Sequence, residues 1–337
     1  MSHRLIYATA LLSSVVFAAS PVFGQTAPPE EGYRLTVKAQ LVLLDATVTE
    51  KKTGRLIGGL TLDDFALRED GVPQTLSYFS FNRLPLSVKL VFDLTQTVQP
   101  VLAPLAAGAR QAIEHLQPED EVAVMTFSNH VSVLQDYTRD RALIESAIEK
   151  ASHLYDKNTP TFIHEAVYTA TELGGTRSSN SRQAEVWLTD GTANYTSVSG
   201  IGISQLNRPK YIHSKEEATQ KVLESGVTVG VLLERSWMTD ATLPWIPLSG
   251  KMGEINKYAE MTGGPILHTS KADVVERMGL ILDALRQRYT LGYRPSVAKP
   301  DGSLCRVSLQ LTPKFFAEHP GLRPKDVVVR TRDRYVR

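Results

Sequence analysis

Asp93, Thr95 and Thr97 stand on alternate positions in Asp93-Leu94-Thr95-Gln96-Thr97, directly after the apolar run of residues 87–92. This spacing lets one carboxylate and two hydroxyls, projected from the end of a buried strand, face one point. Such oxygens suit a hard divalent cation. Two more oxygens could come from other loops: Thr161, ahead of Phe162-Ile163-His164-Glu165, and Asp190, in Thr189-Asp190-Gly191 after a second apolar run. Two carboxylates and three hydroxyls would leave at least one position for water or for a carboxylate from a partner. Mg²⁺ prefers near-octahedral oxygen geometry and keeps waters, with Mn²⁺ or Ca²⁺ as possible substitutes. Taken singly, each residue also has a plainer role. Threonines end strands and turns, and Asp-Gly is a common turn.

The elements that would position these residues alternate in type. Residues 87–92, 121–127, 184–188 and 226–233 read as strands. Residues 100–116, 140–154, 161–173, 214–224, 254–261 and 271–288 carry helical patterning, with Leu143, Ile144, Ala147 and Ile148 sharing one face of the second. This alternation predicts an α/β fold with a doubly wound, mostly parallel sheet. Ligands of such sheets bind at the carboxyl ends of the strands, where the strand order reverses, and Asp93 and Asp190 would both lie at that edge.

Both flanks read as β. Residues 33–49 alternate, Asp70-Gly71 marks a hairpin, and residues 289–293, 304–311 and 326–331 are strand-like. The expected organisation is a signal peptide over 1–24, a linker over 25–32, and a β segment over 33–84. An α/β domain follows over 85–289, and then a second β segment over 290–337 that pairs with the first in a small all-β flanking domain. The signal-peptide reading rests on Arg4, the apolar residues 5–19, and Val22-Phe23-Gly24 at cleavage spacing. That apolar core is shorter than the roughly 20 residues of a membrane span. Export to a periplasm or the exterior follows, with no membrane span after cleavage. Cys305 is the only cysteine, so export brings no internal disulfide.

Composition narrows the function classes. The 337 residues carry 37 basic and 36 acidic side chains, a formal charge of +1. No run of basic residues points to nucleic acid. No G-x-S-x-G elbow, Walker loop or H-E-x-x-H is present. Phosphoryl transfer of the aspartyl type needs a second acid two residues after the first, where Thr95 stands. The chain is therefore expected not to be an enzyme. Trp237, Met238, Trp245 and two prolines crowd residues 236–250, as a partner-binding loop or as a loop folded onto its own domain.

Asp93-Leu-Thr-Gln-Thr, Thr161 and Asp190-Gly191 resemble the metal-ion-dependent adhesion site (MIDAS) of von Willebrand factor type A (VWA) domains, usually D-x-S-x-S, then T, then D-G. Further motifs, Leu60-Thr-Leu-Asp-Asp-Phe, Ala259-Glu-Met-Thr-Gly-Gly and Tyr289-Thr-Leu-Gly-Tyr, resemble an exported, acidobacterial-type VWA-related family of bacterial proteins. The resemblance implies that Thr95 and Thr97 ligate Mg²⁺ directly, and that Asp93, Asp190 and Thr161 do so directly or through water. It also implies that a protein partner presents the carboxylate that completes the site. Three departures stand out: threonine at both serine positions, Pro160 where glycine is usual before Thr161, and Glu165 where an aspartate often follows. A scaffold protein with a vestigial metal site is the alternative function, and a hydrolase a more remote one.

Overall fold

The computed structural model describes residues 41–95, 98–128, 130–154, 162–173, 180–191, 213–234 and 253–337. The described chain starts with strand β1 (Val42–Glu50), the hairpin β2 (Phe65–Glu69) and β3 (Val72–Gln74), and β4 (Leu76–Arg83). The hairpin turns at Asp70 and Gly71, with φ of 48° and 84°, the left-handed pair that matches strand twist.

Next come β5 (Leu86–Asp93), α1 (Gln99–Ala112), β6 (Glu121–Phe127), β7 (Val131–Thr138), α2 (Arg141–His153), α3 (Ile163–Glu172) and β8 (Arg182–Thr189). They are followed by α4 (Lys215–Ser225), β9 (Thr228–Glu234), α5 (Glu254–Thr262), β10 (Ile266–Thr269) and α6 (Val274–Arg286). The chain closes with β11 (Gln287–Tyr293), β12 (Leu304–Leu311), α7 (Pro313–Glu318), β13 (Val327–Thr331) and β14 (Arg334–Val336).

Six strands form the central sheet in the order β10-β9-β8-β5-β6-β7. All pairs are parallel except β6–β7. One core cluster joins α1, α2 and α6 to one face, through Leu102, Leu105, Ile144, Ile148, Met278 and Leu282. A second cluster joins α3, α4 and α5 to the other, around Trp187, Val167, Val222 and Tyr258. Helices on both faces explain why β5, β6 and β9 are buried along their whole length rather than alternately. This is the doubly wound α/β sheet expected from the sequence.

The flanks form two antiparallel four-stranded sheets, β13-β1-β11-β4 and β14-β12-β2-β3. They share a core of Leu44, Val48, Phe65, Leu67, Tyr289, Leu291, Tyr293, Leu309 and Phe315. On β1 the inward phase is Leu44, Ala46 and Val48, while Leu43 is exposed. Cys305 is fully buried on β12. Helix α6 runs into β11 with no intervening loop, so the last helix of the α/β layer and a central strand of the flanking sheet are one continuous segment.

Local signals account for helix ends. Asp140 caps α2, its Oδ1 accepting from the N–H groups of Ala142 (2.9 Å) and Leu143 (3.4 Å). Asp140→Ala is expected to cost about 1 kcal/mol, a fall of about 2 °C in melting temperature by differential scanning calorimetry. Among the described residues no helix is long and apolar enough to cross a membrane.

Candidate metal centre

The six-stranded sheet grows outward from β5 through β6 and β7, then returns to place β8 on the other side of β5. The strand order therefore reverses between β5 and β8. The crevice at their carboxyl ends is where this architecture leaves room for a ligand. Asp93 is the last residue of β5, and Asp190 follows the last residue of β8.

Parallel pairing of Phe92 with Leu188 sets Asp93 beside Thr189. Asp93 is 1% exposed, Thr95 1% and Asp190 5%. The Asp93 carboxylate accepts on both oxygens. The Thr95 N–H donates to Oδ1 (2.9 Å), the local turn that aspartate favours, and the Thr189 hydroxyl donates to Oδ2 (2.5 Å). The Leu94 N–H donates to the Phe127 carbonyl (2.9 Å), and the Thr95 carbonyl accepts from Val98 and Gln99 at the start of α1. The loop is thus anchored to β6 on one side and to α1 on the other.

On the β8 side, Gly191 has φ 74°, and its N–H donates to the Thr189 hydroxyl (3.0 Å). A side chain at Gly191 would be strained in that conformation, and its Cβ would lie 2.9 Å from Leu233 Cδ2. The Gly191 carbonyl accepts from the Gly253 N–H ahead of α5 (3.2 Å).

Electrostatics sharpen the picture. Burial raises the Asp93 pKa, and the neighbouring Asp190 charge raises it further. The bonds from Thr189 and Thr95 offset this only in part, and the carboxyl is pushed up to about 7. Two buried carboxylates that repel each other, with a buried threonine in the same loop, are what a hard cation would relieve. The donor set is all oxygen and fits Mg²⁺ or Mn²⁺ chemistry.

Of the five residues singled out in the sequence, the structure brings Asp93, Thr95 and Asp190 to this edge. Thr97 and Thr161 lie outside the described residues, as do Pro160 and the loop 236–250. Thr189 is a site residue that the motif spacing does not single out, and its hydroxyl bridges the Asp93 carboxylate and the Gly191 N–H. The usable signal was a threonine at the last position of a buried strand, one residue before the acid.

Glu165 has other partners. It accepts from the His213 N–H (2.7 Å) and the Thr169 hydroxyl (2.8 Å), and pairs with the His213 ring (2.7 Å). Burial works to raise its pKa, but these bonds outweigh it and the pKa is lowered. His164 meets the Tyr258 hydroxyl at 2.8 Å. In the flanking sheets, Glu69, Asp70 and Cys305 bring possible ligand atoms within 4.8 Å of one another. There the Tyr293 and Tyr335 hydroxyls donate to Glu69, and Lys299 pairs with Asp70.

No family model and no curated protein matches the sequence. Solved structures similar to it include BatB from Bacteroides thetaiotaomicron, at 16% identity and TM-score 0.41, covering 59% of this chain and 98% of that one. A von Willebrand factor type A protein from Catenulispora acidiphila is similar at 11% identity and TM-score 0.43, covering 89% and 75%. Proximal thread matrix protein 1 from the mussel byssus, solved with a zinc-occupied MIDAS motif, is similar at 14% identity and TM-score 0.42, covering 64% and 49%.

Proposed function

We propose that this chain is an exported, metal-dependent protein-binding module of the VWA type. Mg²⁺ is held by Thr95 and Thr97, with Asp93, Asp190 and Thr161 bound directly or through water. An acidic group of a partner protein completes the coordination. The module binds and does not turn over a substrate. The observation that carries this reading is the pair Asp93 and Asp190, buried at the point where the strand order reverses, with the Asp190 charge close enough to raise the cost of ionising Asp93.

A site with few carboxylates leaves its cation electron-poor, so an incoming carboxylate gains more from binding it. Thr95 and Thr97 in place of serines keep the hydroxyl oxygens and add methyl groups, which sets the size of cation that fits. Calorimetric titration of Mg²⁺ into the protein should give saturable one-to-one heat, and Asp93→Ala should abolish it. Absence of metal-dependent heat in the wild type would sink the reading. A pull-down from the native host with Mg²⁺ against chelator then identifies the carboxylate-bearing partner.

A further inference from the structure

The amino-terminal ends of β8 and β9 meet β1 and β11 around a cavity of about 220 Å³, lined by Asp45, Ser181, Arg182, Gln183, Thr228 and Arg288. It lies at the opposite edge of the sheet from Asp93 and Asp190. The length of β8 separates the two, about 25 Å for a strand of this length.

The cavity is built from buried guanidinium groups. The Arg182 side chain is 8% exposed and donates through Nη1 to Asp45 Oδ2 (2.8 Å). Arg288 is 3% exposed and donates through Nη1 to the Thr228 hydroxyl (2.8 Å) and through Nη2 to the Gly263 carbonyl (2.8 Å). Among the described residues, the buried Nε–H groups of both arginines have no acceptor and the buried Gln183 Oε1 has no donor. Arg332 is near enough to interact with both Asp45 and Arg288. Asp45 thus pairs with Arg182 alone while lying within electrostatic range of Arg288 and Arg332, and its Oδ1 already accepts from the Thr290 hydroxyl (2.7 Å).

Burial lowers Arg288 to about 10, with Asp45 opposing the shift, so it remains charged at neutral pH. Excess buried positive charge is costly unless an anion compensates it. Guanidinium Nε and Nη hydrogens form a planar fork that matches the oxygens of phosphate-type anions.

We propose that this cavity is an oxyanion site that binds a small phosphate- or sulfate-type dianion between Arg182 and Arg288. With Arg332 also within electrostatic range, a dianion balances more of the positive charge around the cavity than chloride or a monocarboxylate does. Both guanidinium groups belong to residues that line the cavity, so the tetrahedral oxygens of a phosphate-type anion have N–H donors on two sides. The site does not depend on the metal reading, because its residues and its edge of the sheet are different.

The test is calorimetric titration of sodium phosphate, with sodium sulfate and sodium chloride as separate arms. Ionic strength is held constant, and buffers are freed of divalent ions by chelating resin so that the metal edge stays silent. The wild type should show saturable one-to-one binding of phosphate and sulfate and none of chloride. Arg182→Gln should weaken phosphate at least tenfold. Asp45→Asn, which removes the competing carboxylate, should tighten it about tenfold, a gain that damage to the fold would not produce. A water-filled cavity predicts no preference for phosphate over chloride in the wild type, and that result overturns the proposal. So does phosphate binding that is equal in the wild type and both variants, since it would mark an adventitious ion only.

Discussion

In metal-free buffer at pH 8, Asp93→Asn is expected to melt above the wild type, and saturating Mg²⁺ should reverse the order. Asp93 ionises in the unfolded chain near 3.8 and in the folded protein only at about 7. For a carboxyl raised by folding, the native state binds the proton more tightly than the unfolded state does. Its contribution to stability is therefore complete below pH 4 and is lost as pH rises from about 4 to about 7. The full loss is on the order of 4 kcal/mol. Asparagine avoids that loss and keeps an acceptor for the Thr95 N–H, but gives up the charge-assisted bond from Thr189.

The net gain for the variant is then about 2 kcal/mol at pH 8, or about 4 °C. It should shrink to near zero by pH 4, where the wild-type carboxyl is protonated in the folded state and close to half protonated in the unfolded one. Mg²⁺ at 100 times its dissociation constant adds about 2.7 kcal/mol to whatever binds it. The wild type should gain this and the variant should not. Scanning calorimetry across pH 4 to 8, with and without Mg²⁺, reads both effects. A variant that is less stable without metal and equally responsive to Mg²⁺ would mean that the two carboxylates hold no cation.

How much of this site was visible beforehand follows from how each residue is encoded. Asp93 and Asp190 were legible because each ends an apolar run, and a run buried on both faces must stop where the chain leaves the sheet. The β flanks were legible through alternation and the Asp70-Gly71 turn. What was illegible depends on distance along the chain. Asp45, Arg182 and Arg288 meet only because β1 and β11 pack against the amino edge of the sheet, and no local spacing links them. Helix α7 and strand β14 are too short to show a period. Lys89 and Glu185 sit in runs read simply as buried strand, because hydrophobic patterning cannot say which polar residue of a strand will find a partner across the sheet.

That pair carries the second large effect. Lys89 on β5 lies opposite Glu185 on β8, both fully buried, with Nζ 3.5 Å from Oε1. The Lys89 ammonium also donates to the carbonyls of Ala170 and Thr171 in the last turn of α3, where a cation complements the helix dipole. Glu185 in turn accepts from the Trp187 indole N–H (3.2 Å). One buried network thus ties together the two strands that lead to Asp93 and Asp190 and the helix that covers them.

Lys89→Met should cost about 3–5 kcal/mol, because it strands a buried carboxylate and frees two carbonyls. Glu185→Leu should cost a similar amount by leaving the ammonium short of charge. The double variant should be far less damaged than the sum of the two, since paired replacement of a buried ion pair by apolar groups is often near neutral. Urea unfolding of all four proteins measures the coupling.

The two strands also differ in what they need from the pair. A parallel sheet carries no register signal in uniformly apolar runs, and a slip of one residue would turn Asp93 away from Thr189. If the pair specifies register as well as stability, Lys89→Met should weaken Mg²⁺ binding even where the variant remains folded, and the double variant should regain stability without regaining full affinity. Stability and affinity that recover together would assign the pair to packing alone. Strictly additive losses would show that the two charges do not act on each other.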